Sequence, residues 1–520
     1  MVSLAEALSR PEAYPHATEK VEVVETHISW IFLTQSWAYK VKKPLDLGFL
    51  DFSTLQKRLY YCNEELRLNR RLCPELYLSV VPVVRSADTF LVDREGEIVD
   101  YAVKMVRFER TMELDRMLSG KLLKEEHIDT LSGMIASFHA SLPAAPAESG
   151  FGHPDNLIKP VLHNFTSMES IATSGDEIER LEVLKAWSLR EHQRLYPHFL
   201  QRKSGGSIRQ CHGDMHTGNM VLWKGEIFIF DCIEFNENLS IIDVISDLAF
   251  LFMDLAHGGE PGLAWRLLNS YLAESGDYSA LPLLRFYVVY RAMVRAKVTA
   301  IRYTQTSDFK YAQKILEEHR SYIELAQEYT LNKKPLLILT FGVSGSGKTS
   351  LSRDIAQRVP CVHLRSDIER KRIGGLKPLE RSDGALYTGE IGLQTYHRLF
   401  DLAALCISEG IAVIVDATFL KKSNRKLFMD LARSKNVPCR ILHFSASEEV
   451  LIERVRKRYL AGNDASEADT AVLASQLDKV EPLTAEEEAV AIKINTGGPI
   501  DGAAIAALLQ SAMAGTPLSV

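Results

Sequence analysis

The sequence predicts two domains of different class. An α+β domain with a small β lobe and a larger helical lobe spans residues 1–330, and after a linker at 331–335 an α/β domain with a parallel sheet spans 336–510. Three observations lead there. A chain of 520 residues exceeds what one ordinary core accommodates. Strand-like patterns cluster before residue 110 and helical ones come after. From residue 336 onward, strands alternate with helices, the order that gives a parallel sheet with crossover connections.

Bulk properties fit folded, non-membrane domains. Hydrophobic residues make up 46% and charged residues 25%, with no low-complexity tract and no internal repeat. The N-terminal segment carries acids and a proline without an apolar run, so it does not read as a secretory signal. No stretch reaches the ~18 uncharged apolar residues of a membrane span; the run Ile241 to Leu255 is interrupted by Asp243, Asp247 and Asp254. A cytoplasmic location is expected. Seven cysteines are scattered without a Cys-x-x-Cys pair, which argues against a zinc site or a disulfide framework. The net charge of −6 gives no general reason to bind nucleic acid, although a local basic groove is compatible with it.

Trp30 to Lys43 reads as a strand pair, Thr54 to Leu72 as a helix, and Leu78 to Val84 with Val99 to Phe108 as a second strand pair. Helical spacing runs from Met112 to about Lys203, broken by Pro and Gly between Leu142 and Asn156. Ile208 to His216 reads as a strand. Two short strands, Asn219 to Trp223 and Glu226 to Phe230, meet at Lys224-Gly225, and helices fill the rest to Thr330. In the second domain the strands fall at 336–341, 361–364, 411–416 and 438–444.

The first chemical constellation is His212-Gly213-Asp214-Met215-His216-Thr217-Gly218-Asn219, with Asp231 after the short strand pair. Phosphoryl transfer needs a carboxylate to take the acceptor hydroxyl's proton and hard oxygen ligands for Mg2+. Asp214, Asn219 and Asp231 supply those groups in that order; a tight turn with a later strand-end Asp is the plain structural alternative. On these residues the segment 20–325 resembles the aminoglycoside and choline phosphotransferase family, including Asp243 and the stretch Ser246 to Ala249. The resemblance implies a bilobal, kinase-like fold with ATP between the lobes, and a strand lysine on the α/β-phosphates paired with a helix glutamate. Lys40 and Glu65 are the choices, with Lys42 on the same strand face and Glu64 adjacent as open alternatives. The segment Thr26 to Lys40 has no Gly-rich phosphate loop, so a degenerate or regulatory kinase domain stays open. His212 suits a backbone-bracing role, and His216 suits either bracing or facing a phosphate.

The second constellation is Gly342-Val343-Ser344-Gly345-Ser346-Gly347-Lys348-Thr349, a G-x4-G-K-T loop between the strand Leu336 to Thr340 and a helix. Its glycines turn backbone N–H groups toward phosphates, Ser346 lies in the loop, Lys348 reaches the β/γ-phosphates and the Thr349 hydroxyl ligates Mg2+. Asp416 closes the apolar strand Ile411 to Val415, a Walker B form that would hold Mg2+ or its water, with Thr418 on the same edge; a helix-capping Asp is the alternative. Asp367 and Arg370 come after the second strand, where a parallel sheet places its ligand crevice. Asp367 could act as general base and Arg370 could hold the acceptor, or the pair could be an N-cap Asp and a salt-bridged helix. Arg454 and Arg458 share a helix face and would form a lid over the transferring phosphate, or a solvated face with Glu453 and Lys457. Gln476 and Asn495 are further candidates for nucleotide contact.

Residues 335–497 resemble the small P-loop kinases that include gluconate kinase, the zeta-toxin-like kinases and the kinase half of phage polynucleotide kinase. The Ser366-Asp367-x-x-Arg370 spacing is similar to the last of these. The whole resembles bacterial fusions of an aminoglycoside-phosphotransferase-like domain with an AAA-type P-loop domain. The chain is therefore expected to be a bifunctional ATP-dependent phosphotransferase using ATP and Mg2+, with a small-molecule or polynucleotide hydroxyl acceptor. Two alternatives accompany that expectation: a 5′-hydroxyl nucleic-acid kinase in the second domain, for which Arg365, Arg370, Lys371 and Arg372 would line a basic channel leading to Asp367, and a nucleotide-dependent switch with one inactive domain.

Overall fold

The structure is a computed structural model that describes residues 3–48, 50–169, 175–382, 386, 388–462 and 464–514. By contacts the chain divides into two compact units. The first comprises Met1–Thr130, Ser137–Asp254 and Phe286–Ala326; the second comprises Leu131–Ala136, Leu255–Arg285 and Gln327–Val520. Residues 255–285 thus group with the later part of the chain.

The first unit opens on an antiparallel six-stranded sheet ordered β1-β2-β3-β6-β4-β5. Its strands are β1 (Glu22–Glu25), β2 (Ser29–Leu33), β3 (Trp37–Lys42), β4 (Tyr77–Ser86), β5 (Thr89–Val92) and β6 (Glu97–Val106). The alternation in β3 decides its two faces. Tyr39 and Val41 join Phe32, Val81, Val83 and Ala102 in one buried cluster under the N-terminal residues Leu8 and Tyr14. Lys40 and Lys42 point the other way, toward the helix Leu55–Asn69, which Thr54 caps by accepting from the Lys57 N–H. Cys62 of that helix packs with Tyr77, Val103, Val221 and Phe228.

The remainder of the first unit is mainly helical, with two small antiparallel ladders. One pairs β7 (Ile208–Gln210) with β10 (Ile241–Asp243); the other is the hairpin β8 (Met220–Trp223) and β9 (Glu226–Ile229). Lys224 and Gly225 both have positive φ at its two-residue turn, the twist a tight hairpin requires. The strand expected over Ile208 to His216 ends at Gln210. Beyond it the backbone N–H groups of His212 and Gly213 bond the Asp247 carboxylate (2.9 Å each) and take no place in a ladder.

The second unit holds a five-stranded, wholly parallel sheet ordered β12-β13-β11-β14-β15. Its strands are β11 (Leu337–Phe341), β12 (Cys361–Arg365), β13 (Ala412–Asp416), β14 (Cys439–Ser445) and β15 (Ala491–Asn495), the last not anticipated from sequence. β11 is central and its two neighbours are reached in opposite directions, so the crevice at its C-terminal end is the topological switch point. The helix Lys348–Arg358 covers the sheet through Leu351, Ile355 and Ala356, against Ile338, Ile414, Leu442 and Ile494. All seven cysteines are free, six of them buried. Among the described residues no helix is long and apolar enough to cross a membrane.

Candidate active sites

In the first unit the loop after β7 carries Asp214, and backbone bonds fix it from several elements. Asp247 holds the N–H groups of His212 and Gly213, Arg291 donates to the Gly213 carbonyl (3.0 Å), and Asp254 accepts from the Thr217 N–H (2.8 Å). His212 takes the Asp214 N–H on Nδ1 (3.2 Å) and lies 2.8 Å from the Phe230 carbonyl through Nε2, a bracing role that one tautomer satisfies. The Asn219 amide donates to the Asp214 carboxylate at 3.0 Å, which leaves its carbonyl oxygen as the atom able to ligate a cation. His216 sets its Nε2 3.4 Å from Asp214 Oδ2. Burial pushes the Asp214 pKa up, but His216, His212 and Arg295 outweigh it and hold the carboxyl well below the usual range.

Lys40 lies 2.6 Å from Asp231 and 2.9 Å from Glu65. Lys42 lies 2.7 Å from the other Glu65 oxygen and also pairs with Glu234. Both lysines therefore share Glu65, while Glu64 turns outward to Arg67 (2.7 Å). Burial works against both ammonium groups, yet the surrounding carboxylates raise their pKa values. Burial likewise works against the Glu65 carboxylate, and the two lysines win, holding it at about 2. Asn69 ties this helix to the loop after β9 by accepting from the Cys232 N–H (2.9 Å), and Asp231 adopts φ +65° there. Glu65→Gln leaves two buried ammonium groups with one carboxylate fewer, so we expect a loss of about 3–5 kcal/mol in urea unfolding, against a near-neutral Glu64→Gln.

In the second unit the loop after β11 has Gly342, Gly345 and Gly347 at φ +151°, +82° and +82°. A Cβ at Gly342 would lie 2.7 Å from the Phe444 carbonyl and one at Gly345 2.8 Å from that of Leu451, so the backbone is drawn in where a side chain has no room. The Ser346 hydroxyl donates to the Val343 carbonyl (2.8 Å), as does Lys348 Nζ (2.7 Å). Thr349 stands in the first turn of the next helix, whose N-terminus favours anions. Asp416, at the end of β13, meets His363 of β12 at 3.1 Å. Burial raises its pKa, and His363, Lys348 and Arg365 bring it down to about 2. Burial lowers the Lys348 pKa to about 8, with Asp416 and Asp367 opposing. The cation is therefore lost as pH rises through about 8, and Lys348-dependent ATP affinity should fall by about tenfold per pH unit above that point. The raised Lys40 stays charged over the same range, so ATP titrations of wild type and Lys348→Ala between pH 7 and 9 separate the two.

Asp367 and Arg370 form an i,i+3 pair at 2.9 Å on the helix Ser366–Ile373. Arg454 commits its guanidinium to Thr496 (2.7 and 2.9 Å) and the Gly345 carbonyl (3.4 Å), so it braces the phosphate loop in this state. Arg458 reaches the Ala468 carbonyl (3.2 Å) and its charge acts on Lys348. Gln476 accepts from the Ser344 N–H (2.7 Å), and Asn495 bonds the Gly497 N–H of its own turn (2.9 Å). Thr418 contributes its carbonyl to the Gly342 N–H (3.2 Å).

Residues 62–284 match the model of the phosphotransferase enzyme family, and residues 337–483 match that of an AAA domain. The chain joins a phosphotransferase-family domain to an AAA-type P-loop domain. Together the two matches support an ATP-dependent kinase. An uncharacterised protein of Mycobacterium tuberculosis is 28% identical over 473 residues, 89% of this chain and 92% of that one. Among solved structures, an aminoglycoside phosphotransferase from Alicyclobacillus acidocaldarius is 12% identical with a TM-score of 0.36, over 61% of this chain and 92% of its own. A gluconokinase from Sinorhizobium meliloti is 23% identical with a TM-score of 0.25, over 35% and 92%.

Sequence reasoning on this two-domain kinase missed Glu234, Asp254, Arg291, Arg295 and His363 as parts of the sites. Each acts across a large sequence separation, as His363 does on Asp416. The one available signal was His363 itself, a polar residue inside the apolar run Cys361 to Leu364.

Proposed function

We propose that the chain is a bifunctional ATP-dependent phosphotransferase that moves the γ-phosphoryl group of ATP to hydroxyl acceptors at both sites. The observation that carries this reading is that each unit gathers a buried lysine, hard-oxygen donors and a partly exposed carboxylate in one place. The donor sets suit Mg2+: Asn219 and Asp231 in the first unit, Thr349 and Asp416 in the second. Bound there, Mg2+ supplies positive charge to the β- and γ-phosphate oxygens.

In the first site Lys40 exchanges Asp231 for phosphate oxygens while Glu65 keeps its orientation. Asp214 accepts a hydrogen bond from the acceptor hydroxyl and aligns it. Its low pKa makes it a weak base, which suits a loose transition state in which the proton leaves late. The cavity of about 770 Å³ walled by Gln35, Phe108, Met112, Leu222 and Trp223 is the place for the base of ATP. In the second site the loop N–H groups and Lys348 hold the phosphates, and Asp367 orients the acceptor with Arg370 beside it.

The acceptor of the second site is best read as a compact hydroxylated molecule. Every cation of the 365–372 segment is in an ion pair: Arg365 with Asp464, Arg370 with Asp367, Lys371 with Glu467 and Arg372 with Glu369. A polynucleotide backbone asks for uncompensated cations. The test offers γ-labelled ATP with polyols and sugars in one series and 5′-hydroxyl oligonucleotides in the other. Label on the small acceptors that Asp367→Asn removes supports this reading. Label on the oligonucleotides favours the end-kinase alternative, and ATP binding without any product favours the nucleotide switch.

A further inference from the structure

β12 is an edge strand of the five-stranded sheet, so its outward backbone groups need partners from outside the sheet. Two of them find partners on one side chain. The Asn269 carboxamide donates to the Cys361 carbonyl (3.0 Å) and accepts from the His363 N–H (2.8 Å), imitating the paired bonds of a neighbouring strand. Asn269 lies on the helix Pro261–Ser275, inside the stretch that matches the phosphotransferase family yet within the second compact unit. That helix is fitted closely along its length. A Cβ at Gly262 would lie 3.0 Å from the Gln357 carbonyl, and the Ala273 carbonyl accepts from Arg372 at 2.6 Å. At its end Gly276 takes φ +71°, where a Cβ would clash with the Arg372 guanidinium. Arg372 in turn pairs with the buried Glu369 (3.3 Å). The residue whose N–H Asn269 holds is His363, whose imidazole lies 3.1 Å from the Asp416 carboxylate.

We infer that Asn269 is a positioning residue of the P-loop site: by fixing the backbone of β12 at His363 it fixes the imidazole that orients Asp416, so that residues 255–285 serve the second active site. The inference rests on the reading of Asp416 as a magnesium-side residue. Partners that orient metal ligands in this way are worth about 10- to 100-fold in metal affinity when lost.

The experiment uses the full chain and follows the Lys348-dependent part of ATP binding as Mg2+ is titrated, with hydrogen exchange at the His363 amide read in parallel. Asn269→Leu removes both bonds at nearly constant volume, and Asn269→Asp keeps the acceptor alone as a second variant should the first fold poorly. The expected result for Asn269→Leu is faster exchange at His363 and a half-saturating Mg2+ concentration raised about tenfold, with ATP binding in the absence of metal unchanged. His363→Ala should give the same shift, and combining the two should add little. An unchanged Mg2+ requirement in both Asn269 variants, while Asp416→Asn raises it, overturns the inference alone. An unchanged requirement in Asp416→Asn overturns the reading of the site on which the inference rests.

Discussion

Asp214→Asn should lower kcat at the first site by about 10²- to 10⁴-fold while leaving its KM for ATP within about twofold. The substitution keeps the side chain's volume, removes its charge and replaces one of its two acceptor oxygens by an NH2 donor. Asn219 donates to the carboxylate and His216 faces it, so a carboxamide at 214 would hold the loop but could meet an incoming hydroxyl with a donor where an acceptor is needed. The nucleotide contacts assigned to Lys40 and Asp231 are untouched, which is why binding and turnover separate. Steady-state kinetics on any first-site acceptor checks the split, and a matching rise in KM for ATP would instead place Asp214 on the nucleotide.

Lys348→Ala should lower Mg-ATP turnover at the second site by about 10³-fold. The Nζ now bonded to Val343 and Ser346 is a buried cation held in a loop of glycines, with Asp416 and Asp367 as its charged neighbours. Removing it deletes the group placed for the β/γ-phosphates. It also relieves the burial of a charge, so thermal stability should hold or rise slightly while turnover collapses. Differential scanning calorimetry beside single-turnover assays tests both halves, and first-site kinetics should stay at the wild-type level.

Fold class was legible because both domains announce themselves locally. The spacing of Asp214, Asn219 and Asp231 and the loop Gly342 to Thr349 each fit within a few turns of chain, and the flanking apolar runs supply the strands that present them. Edge elements were less legible. β1 is mostly exposed and only four residues long, so it carries no alternation to detect, and β15 mixes half-buried and exposed positions with one buried residue, Ile494. The choice between Lys40 and Lys42 could not be made from period two, since both point to one face. The structure shows why the question has two answers: the two Glu65 oxygens serve one lysine each. Glu234, His363 and Asn269 were beyond sequence reasoning for a common reason. Each is defined by a partner at least 50 positions away, and only His363, a polar residue inside an apolar run, carries any mark in its own neighbourhood.

The charge distribution adds a contrast between the sites. In the first, two lysines share their carboxylates and all the groups are buried or nearly so apart from Asp231, which is partly exposed. In the second, a single lysine sits among glycines with its charge offset only at a distance. On the proposed reading, the first would exchange an existing ion pair for phosphate, whereas the second would gain its main counter-charge from the nucleotide. On that difference rests the expectation that ATP affinity at the second site is the pH-sensitive one.

The most direct test of two independent phosphotransfer sites is to count labelled acceptor products from γ-labelled ATP with wild type, Asp214→Asn, Lys348→Ala and the double variant. Two products, one lost with each single variant and both with the double, is the result the bifunctional account predicts. A single product lost equally in both single variants would contradict it, because one site would then depend on the other for its chemistry.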